Sequence, residues 1–149
     1  MPTAARLVAV VPLLLGLAWA SVAAVDVIRA DSLLREAGTE MSTWAAAPAV
    51  ETWNSVHEKL QSAIELRPRD PAGLELMGLL GTMRRDSPKF MDEGLAHLVK
   101  ALEFRPVSPH AWASLLEARY ARGESGPALE LALARAARNR DVIDAVPLR

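Results

Sequence analysis

The sequence predicts an all-α protein, with an N-terminal transmembrane helix followed by a short superhelix of antiparallel helix pairs. Three observations predict it. An uncharged run extends from Leu7 to Val25, apolar residues beyond residue 48 recur at spacings of three and four, and a twelve-residue segment reappears 38 positions downstream. No stretch sustains period-two alternation, so strands are not expected. The chain divides into an anchor or signal peptide at 1–25, a lead-in helix and linker at 26–48, a helical module at 49–140 and a tail at 141–149.

The N-terminal run is nineteen residues long, between Arg6 and Asp26. About 20 apolar residues cross the hydrocarbon core as a helix, so the run is long enough for an uncleaved anchor. A cleaved secretory signal is the competing reading, because Ala18, Trp19 and Ala20 fit the small-x-small cleavage rule. The stretch "VDVIRADSLLREAG" is able to carry the same helix into water. Arg6 precedes the run, whereas Asp26 and Asp31 offset Arg29 after it. That bias puts the N-terminus in the cytoplasm and the module in the periplasm of a single-pass bacterial inner-membrane protein.

In the module, Trp53, Val56, Leu60, Ala63 and Ile64 form one helical stripe, and Met91, Gly94, Leu95, Leu98, Ala101 and Leu102 form another. Between them "PAGLELMGLLGTM" (71–83) is apolar on most sides, as a helix between two neighbours must be. Asp70-Pro71, Ser87-Pro88 and Ser108-Pro109 each pair an N-cap residue with proline at the first helical position, where its missing N–H costs nothing. Arg67, Arg84, Arg85, Arg105, Arg122, Arg138 and Arg140 mark helix ends, where a cation complements the macrodipole and can bond free carbonyls. The alternative is a basic patch facing a ligand.

The recurring segment is "AIELRPRDPAGL" (63–74) and "ALEFRPVSPHAW" (101–112), identical at five of twelve positions: Ala63/Ala101, Glu65/Glu103, Arg67/Arg105, Pro68/Pro106 and Pro71/Pro109. Each shared residue has a structural use: alanine permits close helix approach, arginine ends a helix, one proline stops it and the next starts its successor. This is a duplicated hinge. Function is expected where the copies differ, from Ala72 against His110 onward.

Over residues 53–138 the pattern resembles the tetratricopeptide repeat family, whose units of about 34 residues are helix-turn-helix pairs. Leu74, Met77, Gly78, Gly94, Leu98, Ala101 and Pro106 carry the resemblance in one unit, and Trp112, Leu115, Gly123 and Ala128 in the next. Val56, Leu60, Ala63 and Pro68 supply a preceding half-repeat. The 38-residue spacing implies about four extra residues, expected at "RRDSPK" (84–89). Arg135 and "NRDVI" depart from the family pattern, as a terminal capping helix does. With about two and a half repeats present, the helix at 26–46, bearing Leu33, Leu34 and Trp44, is expected to pack on the first pair, or a partner to cover it. The resemblance implies a concave surface lined by the first helix of each repeat, at Ala72, Glu75, Leu79, Thr82 and Met83 and at His110, Ala113, Glu117, Tyr120 and Ala121. Such an apolar, mildly acidic groove suits a helix or extended segment with apolar anchors and a basic residue. The competing reading makes Leu79, Met83 and Tyr120 packing residues.

A single anchor, the Trp-containing lead-in "STWAAAPAVETWNS" and a short repeat module also resemble the small membrane-anchored VpsP-type proteins of bacterial exopolysaccharide systems. That layout implies an accessory of exopolysaccharide biosynthesis or export, working as a protein-protein interaction scaffold. The alternative is an adaptor or chaperone in another envelope system, such as cytochrome c maturation. The expected partners are an envelope protein at the concave face and the lipid bilayer from Leu7 to Val25.

Composition narrows the classes further. With 149 residues, 51% of them hydrophobic, the chain supports about one domain. A net charge of -1 with dispersed cations leaves no footprint for nucleic acid. The absence of cysteine removes disulfides, thiolate metal sites and cysteine nucleophiles. Arginine supplies nearly all the basic charge, which together with abundant alanine points to a GC-rich bacterial genome. His57, His97 and His110 fall on separate helices without ligand spacing, and Glu51, Asp92 and Glu93 read as first-turn acids. No nucleophile motif or phosphate-binding loop occurs. Neither enzymatic activity, nor a cofactor, nor a metal is expected.

Overall fold

The computed structural model describes residues 3–44 and 48–138, with side chains at 16, 18–44, 48–127 and 129–138; there it holds six α-helices and no strand. The helices are α1 (Thr3–Ser42), α2 (Val50–Leu66), α3 (Pro71–Met83), α4 (Pro88–Phe104), α5 (Pro109–Ala121) and α6 (Pro127–Ala136). The protein is all-α. "NRDVI" and the 141–149 tail lie outside the described residues.

The 38-residue period governs the architecture. Shifted by 38, Val50–Leu66 becomes Pro88–Phe104 and Pro71–Met83 becomes Pro109–Ala121. Buried residues obey the same shift: Trp53, Val56, Leu60 and Ala63 of α2 correspond to Met91, Gly94, Leu98 and Ala101 of α4. Ala132 and Ala136 continue the series at Gly94 and Leu98 plus one period. The turns at 67–70, 84–87 and 105–108 are equally long. The 84–87 turn is thus no longer than the other two, and the length lies in α2 and α4, which have 17 residues against 13 in α3 and α5.

Capping follows the sequence at two of three sites. Asp70 Oδ1 accepts from the Ala72 N–H at 3.0 Å, and Ser108 Oγ from the Ala111 N–H at 3.4 Å. Ser87 makes no side-chain cap bond; proline at the first position opens α4 without it. Ser108 is also 1% exposed. Ser108→Ala is expected to cost about 1 kcal/mol in urea unfolding, and Ser87→Ala less than about 0.5 kcal/mol.

The arginines stand where the sequence put them but act differently. Arg67, Arg84, Arg105 and Arg122 are the C-cap residues of α2, α3, α4 and α5. Rather than bonding carbonyls, three of them reach carboxylates: Arg67 to Asp31 at 2.6 Å, Arg84 to Asp86 at 2.9 Å and Arg122 to Asp92 at 2.6 Å. These pairs are solvent-accessible, so water and salt screen them and they add little to stability. The pairs of Arg67 and Arg122 tie their turns to α1 and α4, whereas the Arg84 pair closes its own turn. Arg84 also sits 5.5 Å from the ring centres of both Trp53 and Phe90.

Helix α1 enters the stack as the first member of a pair. Ala37 and Met41 join Trp53, Val56, Leu60, Met77 and Leu80 in one buried cluster, with Leu34 and Trp44 packed against it. Lys59 Nζ donates to Glu40 Oε2 at 2.8 Å, tying α2 to α1. Leu34 lies beside Gly73, and Leu76 beside Gly38, so α1 and α3 run in the same direction. The expected docking of the lead-in helix is found. Its outcome is three helix pairs, α1/α2, α3/α4 and α5/α6, where the repeat pattern alone showed about two and a half. α1 runs unbroken past residue 25, as the stretch "VDVIRADSLLREAG" allows.

The tightest crossing is α3 on α4. A Cβ at Gly81 would meet the Phe90 carbonyl oxygen at 2.6 Å and Gly94 Cα at 2.7 Å; one at Gly94 would meet the Gly78 carbonyl oxygen at 2.8 Å. The backbones touch there, and only glycine permits it.

His97 on α4 is half-buried, and desolvation, aided by the Lys100 ammonium, lowers its pKa from the usual 6.5. The folded protein thus prefers neutral imidazole, while the unfolded chain protonates first as pH falls. Stability is expected to be full above pH 6.5 and to decline as pH drops below it. His97→Gln should flatten that decline in thermal melts recorded against pH.

The first half of the apolar run falls outside the described side chains. Among the described residues no helix is long and apolar enough to cross a membrane.

Candidate partner-binding groove

The two first helices α3 and α5 lie side by side and in register. The groove between them has a volume of about 440 Å³ and is lined by residues that pair across one period: Ala72 with His110, Glu75 with Ala113, Leu76 with Ser114 and Leu79 with Glu117. Leu98 of α4 and Ala111 complete the lining. Proline at the first position of both helices sets this register, because each helix starts at the same point of the repeat.

Six of the ten residues expected from the sequence are brought together here: Ala72, Glu75, Leu79, His110, Ala113 and Glu117. The other four are not. The Thr82 hydroxyl turns back to donate to the Leu79 carbonyl at 2.8 Å, and Met83 packs against the cluster around Trp53. Tyr120 is 75% exposed, and Ala121 is exposed at the end of α5. In the last turn of α3 the backbone is packed against α4 at Gly81, and the side chain of Met83 goes to the α1/α2/α3 cluster and not to the groove. Leu76, Leu98, Ala111 and Ser114 were not anticipated, although the 38-residue pairing of Leu76 with Ser114 could have identified those two.

The groove has an apolar floor of Leu76, Leu79 and Leu98 and two acids of different kinds. Glu117 is at the surface and accepts from Arg85 Nη2 at 2.9 Å, so its charge is balanced. Glu75 is half-buried, and its Oε1 is enclosed with no hydrogen-bond partner among the described residues. A buried carboxylate oxygen without a donor is costly, and a ligand that brings one recovers that cost. The arrangement is therefore suited to holding aliphatic side chains against the floor and one donor or cation against Glu75.

A larger cavity, about 610 Å³, opens between α4, α5 and α6 and is lined by Val99, Leu102, Val107, Trp112, Leu131 and Arg138, among others. Sequence reading did not indicate it, since it depends on where α6 folds back. No group of three His, Asp or Glu side chains gathers to hold a metal among the described residues. Comparison with protein-family models, with curated proteins and with solved structures finds no match for this chain.

Proposed function

We propose that this protein is a membrane-tethered, tetratricopeptide-like scaffold whose α3/α5 groove holds a segment of an envelope partner protein. The segment carries aliphatic anchors and one basic group. The observation that carries this reading is Glu75: a groove-lining carboxylate whose Oε1 is enclosed and has no hydrogen-bond partner among the described residues. The superhelical reading is supported by the 38-residue period that relates α2 and α3 to α4 and α5 and by packing of α3 on both α1 and α5, two helices away in sequence. Tethering is supported by the uncharged run from Leu7 to Val25 and by the outward-facing Trp19, Val22, Val25 and Ile28. An anchor confines groove and partner to one surface and so raises their effective concentration. The resemblance to the VpsP type makes the partner a component of exopolysaccharide biosynthesis or export, with the module in the periplasm.

Selection of a random peptide library on the full chain tests the groove. Peptides recovered on the wild type should share aliphatic residues around one Arg or Lys. Glu75→Gln should erase the basic preference while the aliphatic pattern survives, and Leu79→Asp should abolish recovery. Peptides that bind Leu79→Asp undiminished would overturn the assignment of the groove.

A further inference from the structure

We infer that the end of the stack nearest the anchor, a rim formed by the turns at 67–70 and 105–108, docks onto an anionic bilayer surface; this rests on the tether proposed above. The first support is height. Asp26 ends the uncharged run, and Arg67 is bound to Asp31 at 2.6 Å. The two aspartates are five helical positions apart, about 7.5 Å at 1.5 Å per residue. The headgroup layer on each side of the hydrocarbon core is about 5–8 Å deep. The 67–70 turn is thereby held at headgroup level, and α1 runs unbroken through this stretch, so no linker lets it drift.

The second support is register. Gly81 meets Phe90 and Gly78 meets Leu98, so α3 runs antiparallel to α4, and Arg122 reaches back to Asp92, so α5 runs antiparallel to α4; α3 and α5 are therefore parallel, and the turns that open them share one end of the molecule. The rim is thus built from both copies of the duplicated hinge.

The third support is chemistry that differs between the two ends. At the far end the arginines are engaged: Arg84 with Asp86, Arg85 with Glu117 and Arg122 with Asp92. At the rim, Arg67 occupies both Asp31 and Asp70. Arg69 and Arg105 are exposed and make no ion pair among the described residues. The nearby acids Glu65 and Glu103 lie back within α2 and α4, and Glu65 is already bonded by Gln61. Beside these cations, Phe104 is 43% and Val107 64% exposed. Arginines with neighbouring aromatic and aliphatic side chains are the composition that settles at a lipid interface, the cations on phosphates and the apolar groups at the acyl boundary. The hinge copies diverge at these positions, Leu66 to Phe104 and Arg69 to Val107, one supplying charge and the other apolar surface.

The chain has no cysteine, so single labels can be placed without background. The full chain, as Val107→Cys or Ser125→Cys carrying an environment-sensitive fluorophore, is reconstituted into phosphatidylcholine vesicles with and without phosphatidylglycerol. The label at 107 is expected to shift to the blue and be quenched by headgroup-level nitroxide lipids when phosphatidylglycerol is present, while the label at 125 stays water-like. Arg69→Gln and Arg105→Gln should each reduce the docked fraction relative to the free one by about fivefold, and high salt should weaken docking in the same direction. Equal exposure of the two labels in a chain that stays with the vesicles overturns rim docking alone. A signal at 107 that is independent of phosphatidylglycerol overturns the anionic surface as its cause. Release of the chain by alkaline washing overturns the tether, and the docking with it.

Discussion

Trp53→Ala is expected to destabilise the fold by about 3–5 kcal/mol, a large part of what a small domain has. Trp53 is 2% exposed and joins α1, α2, α3 and α4 at once. Its ring stacks on His57 at 5.0 Å and meets Phe90 at 4.6 Å. Its indole N–H donates to the Leu80 carbonyl at 3.1 Å. That carbonyl lies in the last turn of α3, where the Arg84 N–H bonds Gly81 instead, so the indole supplies a donor that the helix does not. Truncation therefore leaves a cavity and an unpaired carbonyl together. Urea unfolding of the chain in mild detergent, followed by far-ultraviolet circular dichroism, checks it; a loss under about 1 kcal/mol would contradict this view of the core.

Gly81→Ala is expected to cost about 3 kcal/mol, although alanine is the better helix former by about 1 kcal/mol. The added methyl group would stand 2.6 Å from a backbone oxygen and 2.7 Å from a backbone carbon, neither able to move without parting α3 from α4. Sterics outweigh propensity at this crossing. Gly38→Ala provides the contrast: its nearest contact is a leucine methyl at 3.8 Å, so there the propensity gain of up to about 1 kcal/mol should appear. The pair of substitutions, measured in the same urea titration, should move the midpoint in opposite directions.

Why some of this was legible in the sequence is clear from particular residues. The helix starts at Pro71, Pro88 and Pro109 were readable because proline at the first position is a local signal, independent of what packs on it. The stripe Trp53, Val56, Leu60 and Ala63 was readable because burial follows the helical period. The place of α1 in the stack was less so, because its buried Ala37 and Met41 do not fall on buried positions of α3 when shifted by 38. In the groove, register located the residues from Ala72 to Leu79. It failed at Thr82 and Met83, whose side chains are taken up by the Leu79 carbonyl and by the cluster around Trp53. The enclosed, unpartnered oxygen of Glu75 leaves no trace in sequence, since it arises from the packing of three helices. The arginines illustrate the same limit: their positions were local, their carboxylate partners were not.

The central claim is that the α3/α5 groove, through Glu75, is where a partner is held. It is tested most directly by site-specific photo-crosslinking in native membranes, with a benzophenone amino acid at Ala113 inside the groove or at Ser125 on the α5/α6 turn. The prediction is one discrete envelope-protein adduct from position 113, none from 125, and loss of the adduct when Glu75→Gln is added. Adducts of equal yield from both positions, or an adduct at 113 that is indifferent to Glu75→Gln, would contradict it.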